Sequence, residues 1–114
     1  MAVSREYREF VLEQLGRVAA PVTSRSMFGG VGVYSGGFFF ALMAGETIYL
    51  KVDDTNRGDF EAVGMGPFRP FDGDQHTMHY YELPAELLED ADALRPWVEK
   101  SVDVARRSRK TKKK

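Results

Sequence analysis

The fold of this 114-residue chain is decided by residues 31–53, which run Val-Gly-Val-Tyr-Ser-Gly-Gly-Phe-Phe-Phe-Ala-Leu-Met-Ala-Gly-Glu-Thr-Ile-Tyr-Leu-Lys-Val-Asp. β-Branched and aromatic residues fill three short runs, which are separated by Ser35-Gly36-Gly37 and Ala44-Gly45-Glu46. Separators of this kind are typical of tight turns between antiparallel strands. We therefore predict strands at 31–35, 37–44 and 47–53, preceded by another strand at 22–28.

The strand predicted at 37–44 is apolar on both of its faces. Successive side chains of a strand point to opposite faces. This alternation places on one face Phe38, Phe40 and Leu42, and on the other Phe39, Ala41 and Met43. One layer of helices covers only one face of an antiparallel sheet, so the second face needs another cover.

We predict that a second copy of the chain covers this second face, which would make the protein a homodimer. Aromatic residues and methionine are enriched at protein interfaces. The candidate interface residues are Tyr34, Phe39, Met43 and Tyr49.

Helical periodicity appears on both sides of these strands. We predict a first helix from Ser4 to Leu15, capped by Ser4 and ended by Gly16. A second helix is expected from Thr55 to Val63, with Asp54 or Thr55 as its cap and Gly64 as its end. The apolar stripe of the first helix comprises Tyr7, Phe10, Val11, Leu15 and Val18, and the core contacts of the second are Phe60 and Val63.

The last third of the chain predicts a second hairpin and a long final helix. The hairpin strands are expected at 67–71 and 76–83 around Asp72-Gly73-Asp74, followed by one helical turn at 84–88. The final helix is expected from Asp92 to Arg107, with Pro96 tolerated near its first turn. Its apolar face comprises Leu94, Trp97, Val98, Val102 and Ala105.

This order of elements predicts an α+β fold of two layers, in which helices cover one face of a largely antiparallel sheet. We expect one domain over residues 1–105 and a disordered basic tail over 106–114.

The near-neutral charge hides an asymmetry. The chain has 16 Lys and Arg against 17 Asp and Glu, a formal charge of −1, and seven of the basic residues lie in 106–114. The tail could bind nucleic acid or an acidic partner, or it could be solvated or fold back on the acidic body. Its candidate nucleic-acid contacts are Arg106, Arg107, Arg109, Lys110, Lys112, Lys113 and Lys114.

Several classes of protein do not fit the composition. The chain has no cysteine, so it forms no disulfide and offers no thiolate nucleophile or metal ligand. Its longest apolar run, Phe38 to Ala44, is far shorter than a membrane span, and residues 1–10 lack an apolar signal core. We therefore expect a cytoplasmic protein without a membrane partner.

No motif predicts catalysis, a cofactor or a metal. Asp72, Asp74 and His76 could share a face as ligands, but their spacing fits an ordinary turn better than a closed metal site. The glycines of 29–32 lie between two strands, where a phosphate loop is not expected. We assign no catalytic, cofactor-binding or metal-binding residue and predict a non-enzyme. Small-ligand binding or enzyme activity is a remote alternative that would need a deep polar pocket.

Arg25 and Lys51 are basic residues within predicted strands. If their faces coincide, the sheet carries a mixed aromatic and basic surface that could bind an acidic partner. Alternatively each side chain pairs with a carboxylate of the body or packs its stem on apolar groups. We favour the second interpretation.

Three blocks of this sequence closely resemble the N-terminal domain of the TfoX/Sxy competence regulators. The first is Arg25-Ser-Met-Phe-Gly-Gly-Val-Gly-Val-Tyr34, the second Gly37-Phe-Phe-Phe-Ala41, and the third Tyr49-Leu-Lys-Val-Asp-Asp-Thr-Asn-Arg57. The match continues through Pro67-Phe68, Met78-x-Tyr80-Tyr81-x-x-Pro84 and the Leu94…Trp97 helix, and covers about residues 5–105.

The resemblance implies a two-layer α+β fold similar to that of secretion-chaperone-like proteins. It also implies a non-enzymatic interaction module in transcriptional or competence-related regulation. It transfers no catalytic residue. We expect a stand-alone version of the domain, with the basic segment where full-length regulators carry a helical domain.

Overall fold

The computed structural model of the protein describes residues 3–19, 21–27, 30–67 and 79–112. Its helices are α1 (Arg5–Ala19), α2 (Arg57–Ala62) and α3 (Ala91–Lys112), with a 3₁₀ helix over Ala85–Glu89. Its strands are β1 (Val22–Met27), β2 (Gly30–Ser35), β3 (Phe38–Ala44), β4 (Thr47–Lys51) and β5 (Tyr80–Glu82).

The five strands form one antiparallel sheet in the order β1-β2-β3-β4-β5. Gly36 and Gly37 join β2 to β3, with φ angles of 57° and 87°. A two-residue turn with two positive φ angles matches the twist of the strands that it connects, which explains the paired glycines. The predicted α+β fold with an antiparallel sheet is confirmed.

A β-bulge in β3 changes which side chains face the core. Val33 pairs with Ala41 whereas Tyr34 pairs with Phe39, so Phe40 is an extra residue of β3. Phe40 and Ala41 are both fully buried. Because of this extra residue, the strict alternation that we predicted for residues 37–44 is wrong.

Helix α1 begins as predicted and ends later. The hydroxyl oxygen of Ser4 accepts a hydrogen bond from the Tyr7 N–H at 3.2 Å, as an N-cap does. Gly16 does not end the helix, because burial of Val18 in the next turn outweighs the modest cost of a helical glycine. Phe10 is 39% exposed and does not belong to the buried stripe.

Helix α2 is shorter than predicted, and its cap differs. The residue before its first turn is Asn56, rather than Asp54 or Thr55, and Asn56 makes no side-chain cap bond. Phe60 is buried as expected, but Val63 lies beyond the helix and is 50% exposed. Gly64 follows the helix with a φ of 81°.

Helix α3 begins at a capping residue and ends beyond the predicted boundary. The Asp90 carboxylate accepts a hydrogen bond from the Ala93 N–H at 3.2 Å. Pro96 lies in the second turn, and its side chain is exposed. The helix continues past Arg107 to Lys112, so it includes most of the segment that we predicted as a disordered tail. Lys113 and Lys114 lie outside the described residues.

Most of the predicted second hairpin also lies outside the described residues, which include only its ends. Pro67 forms an isolated bridge with Tyr81 of β5. The predicted helical turn after the hairpin is the 3₁₀ helix.

Helices α1 and α3 pack on one face of the sheet, which we call the inner face. The fully buried side chains there include Leu15, Phe40, Met43, Leu50 and Leu94. The Trp97 ring meets the Phe60 ring edge-on, with centroids 4.8 Å apart.

A buried polar network fixes α3 to the end of β4. The Asn56 side-chain oxygen accepts a hydrogen bond from the Asp53 N–H at 2.9 Å, and its Nδ2 donates to the Lys51 carbonyl at 3.2 Å. The Ser101 hydroxyl donates to the same carbonyl at 2.8 Å. Because Asn56 and Ser101 are at most 1% exposed, water cannot replace these bonds.

Asn56→Ala should lower the free energy of unfolding by about 2–3 kcal/mol, because it removes two side-chain hydrogen bonds and leaves the Asp53 N–H without its partner. Ser101→Ala should cost only about 1 kcal/mol, since Asn56 still occupies the Lys51 carbonyl. Urea denaturation of both variants measures the difference, with the exposed Glu99→Ala as control. A loss at Asn56 no larger than that at Glu99 would contradict this role.

Candidate functional site: the outer face of the sheet

The sheet face turned away from α1 and α3, which we call the outer face, is built from side chains of all five strands. One line of directly paired residues crosses it completely. In strand order the line consists of Arg25, Gly32, Leu42, Tyr49 and Glu82. None of these residues belongs to the core cluster or to the side chains packed against it.

An aromatic cluster lies beside this line. The rings of Tyr34 and Phe39 are stacked, with centroids 5.1 Å apart. The Phe39 ring also lies 5.7 Å from the Tyr80 ring, so the cluster reaches from β2 to β5. All three side chains are half-buried. They therefore present apolar surface on the face that no described helix covers.

Two basic residues lie on the same face as the aromatic cluster. The Lys51 Nζ lies 5.2 Å from the centre of the Tyr80 ring and donates a hydrogen bond to the Tyr80 hydroxyl at 3.4 Å. Arg25 is exposed, and its side chain makes no hydrogen bond or ion pair with the described residues. Lys51 and Arg25 thus share one face, and the outer face is a mixed aromatic and basic surface.

The structure separates the predicted interface residues. Tyr34, Phe39 and Tyr49 lie on the outer face, together with Arg25 and Lys51. Met43 does not, because the bulge turns it toward the helices, where it is fully buried.

Three outer-face residues were not predicted from the sequence. Leu42 occupies the position that we expected for Met43. The alternation of side chains along a strand could have identified Tyr80 and Glu82, since both flank the buried Tyr81. It could not have shown that they lie beside β4.

Burial governs the acid–base properties of the outer face. Burial, with a smaller effect of Tyr34, raises the pKa of Tyr80 to about 12. Burial and the nearby Glu82 carboxylate also raise the pKa of Tyr49. Both hydroxyls are therefore protonated at neutral pH and can donate hydrogen bonds.

The first basic residues of the 106–114 segment bind the acidic body of the same chain. The Arg107 guanidinium lies 3.1 Å from the Asp53 carboxylate and donates to the Thr55 hydroxyl at 3.0 Å. Although burial alone would raise the pKa of Asp53, hydrogen bonds from Thr55 and Arg107 lower it.

Arg106 is held in a similar way. It lies 2.7 Å from Asp103, and its guanidinium carbon is 5.3 Å from the centre of the Phe38 ring. The backbone of α3 carries Arg109, Lys110 and Lys112 in its last turns.

The described residues form no cluster of three or more potential metal ligands. The sequence analysis considered one possible set of metal ligands, Asp72, Asp74 and His76. These residues lie outside the described residues. An open cleft between β4 and α3 is lined by Lys51, His79 and other residues, and the Arg107–Asp53 ion pair lies within it.

Comparison with known proteins supports the family that the three sequence blocks indicate. The family model of the TfoX N-terminal domain matches residues 13–105. The chain belongs to the TfoX N-terminal domain family. A search of curated proteins finds no match.

As a TfoX N-terminal domain, the chain is related to competence regulators, and its family is not known for enzymatic activity. No helix among the described residues is long and apolar enough to span a membrane.

The raised pKa of Tyr80 predicts a loss of stability at alkaline pH. In the unfolded chain the phenol ionises near pH 10, whereas the fold keeps it protonated to about pH 12. The free energy of unfolding should therefore fall as pH rises from 10 to 12. Tyr80→Phe should make this fall shallower, as measured by urea denaturation at several pH values, with Tyr34→Phe as comparison. An equally steep fall in Tyr80→Phe would contradict the assignment.

Proposed function

We propose that this TfoX N-terminal domain is a non-enzymatic interaction module that acts in transcriptional or competence-related regulation. It works by forming an interface with a protein. The observation that supports this proposal is the outer face, where aromatic, aliphatic and charged side chains from five strands form one continuous surface. Regulation by such a module requires only that the surface be recognised, so no reacting group is needed.

The composition of the outer face suits a protein partner. Tyrosine, phenylalanine and arginine are enriched at interface cores and hot spots. The face offers the stacked pair of Tyr34 and Phe39, the aliphatic Leu42 and the protonated hydroxyl of Tyr49. Aromatic side chains supply large contact areas with few rotatable bonds, so little conformational entropy is lost on binding.

The regulatory role can be tested with Leu42→Glu, which places a charge at the centre of the outer face. Leu42 is half-buried and outside the core, so the variant should fold. In cells that encode the chain, Leu42→Glu should reproduce the transcript changes caused by deleting the gene, and Glu99→Arg on exposed α3 should not. Wild-type transcript levels in the Leu42→Glu strain would contradict the proposal.

Photo-crosslinking locates the partner directly. A benzophenone amino acid at Phe39 should yield a covalent protein adduct in cells, whereas the same amino acid at Glu99 should not. The mass of the adduct distinguishes a second copy from another protein. No adduct at position 39 would count against an interface on the outer face.

A second candidate function is non-specific nucleic-acid binding by the basic end of α3. It is supported by the continuation of α3 to Lys112, which carries five basic residues between Arg106 and Lys112 on one helix. Binding through phosphates needs closely spaced cations and no base-specific groups. The ion pairs of Arg106 and Arg107 with body carboxylates weigh against it.

This candidate predicts binding to mixed-sequence duplex DNA that weakens steeply as salt rises. A chain ending at Ala105 should lose that binding, and so should the full chain with Arg109, Lys110 and Lys112 replaced by serine. Arg95→Ser, on the exposed side of the same helix, is the control. Undiminished affinity in both altered chains would exclude this role for the segment.

A further inference from the structure

From the arrangement of the outer face we infer that its partner is a second copy of the chain, packed face to face about a two-fold axis that lies within about 15° of β3, so that the two sheets cross at about 30°. This inference rests on the proposed function and names the partner. The central position of β3, with two strands on either side, makes the sheet suited to such an axis. Rotation about β3 places β1 of one copy over β5 of the other, and β2 over β4.

When the line of paired residues is laid over the same line of a second copy in the opposite direction, opposite charges meet at its two ends. Arg25 stands at its β1 end and Glu82 at its β5 end, and both side chains are exposed. Five strands put these ends ~19 Å apart, so the two charges cannot pair within one chain. The two-fold rotation brings each Arg25 over the Glu82 of the other copy and forms two symmetric ion pairs.

The middle of the line is apolar. Gly32 on β2 is buried within the chain itself, and the half-buried Leu42 on β3 offers the apolar contact at the centre of the face. Leu42, on the axis, meets its own counterpart. Packed sheets cross at about 30°, and the long side chains of Arg25 and Glu82 can span the resulting offset.

The interface has the size and charge of a reversible dimer. Five strands of three to seven residues give a face that buries on the order of 1,000 Å² in total, near the lower limit for specific interfaces. The formal net charge of −1 leaves little repulsion between two copies. We expect a dimer that dissociates in the micromolar range.

Sedimentation velocity of the full chain from low to high micromolar concentration tests the arrangement by charge exchange. Arg25→Glu and Glu82→Arg should each weaken self-association at least about tenfold, since each replaces two attractive pairs with two repulsive ones. The double variant should recover to within about threefold of wild type. Glu99→Arg is the control for a charge change away from the face, and circular dichroism checks that every variant folds.

Three results would overturn the inference: a wild-type monomer at all concentrations, a dimer that Leu42→Glu does not weaken, or a double variant no stronger than the single variants. Its failure can be distinguished from failure of the proposed function. A monomeric wild type whose crosslinked partner at Phe39 is another protein would refute the second copy alone. A confirmed dimer whose disruption leaves transcripts unchanged would refute the regulatory role alone.

Discussion

The β-bulge at Phe40 is the constraint on which both faces of the sheet depend. One extra residue lets β3 send Phe40 and Ala41 to the same side, so the core gains a whole aromatic ring. The same shift turns Phe39 outward against Tyr34. A regular β3 would instead place Phe39 in the core and Phe40 on the outer face. The packed core and the outer face are therefore two consequences of one backbone irregularity.

A second constraint holds the helical layer in register with the sheet. The Lys51 carbonyl, at the end of β4, accepts hydrogen bonds from both Asn56 and Ser101. This joins the loop before α2 to the middle of α3 and fixes where the following turn of α3 lies. Arg107 can then reach Asp53, which precedes Asn56 in the same loop. The basic end of α3 thus begins within the folded body.

Local signals made the strands and turns predictable, and tertiary packing decided the rest. Paired glycines and a glycine before Glu46 mark the hairpins without reference to distant residues. Gly16 gave a false helix end because the signal is local, whereas the burial of Val18 is not. The bulge was invisible for another reason: residues 38–44 are apolar at every position, so no alternation exists from which to detect its interruption.

The outer face, our proposed binding surface, illustrates why such a surface is harder to predict than a core. A core position is identified by its own hydrophobicity and period, but a surface property belongs to residues that pairing brings together. Arg25 and Glu82 are unremarkable charges in the sequence. They become the two ends of one line only through four successive strand pairings. The complementarity of those ends in the proposed dimer depends on the symmetry of the strand order about β3. This symmetry is a property of the whole sheet and not of any single residue. For a sheet of this kind, the strand order is therefore the information that brings scattered charges together on one face.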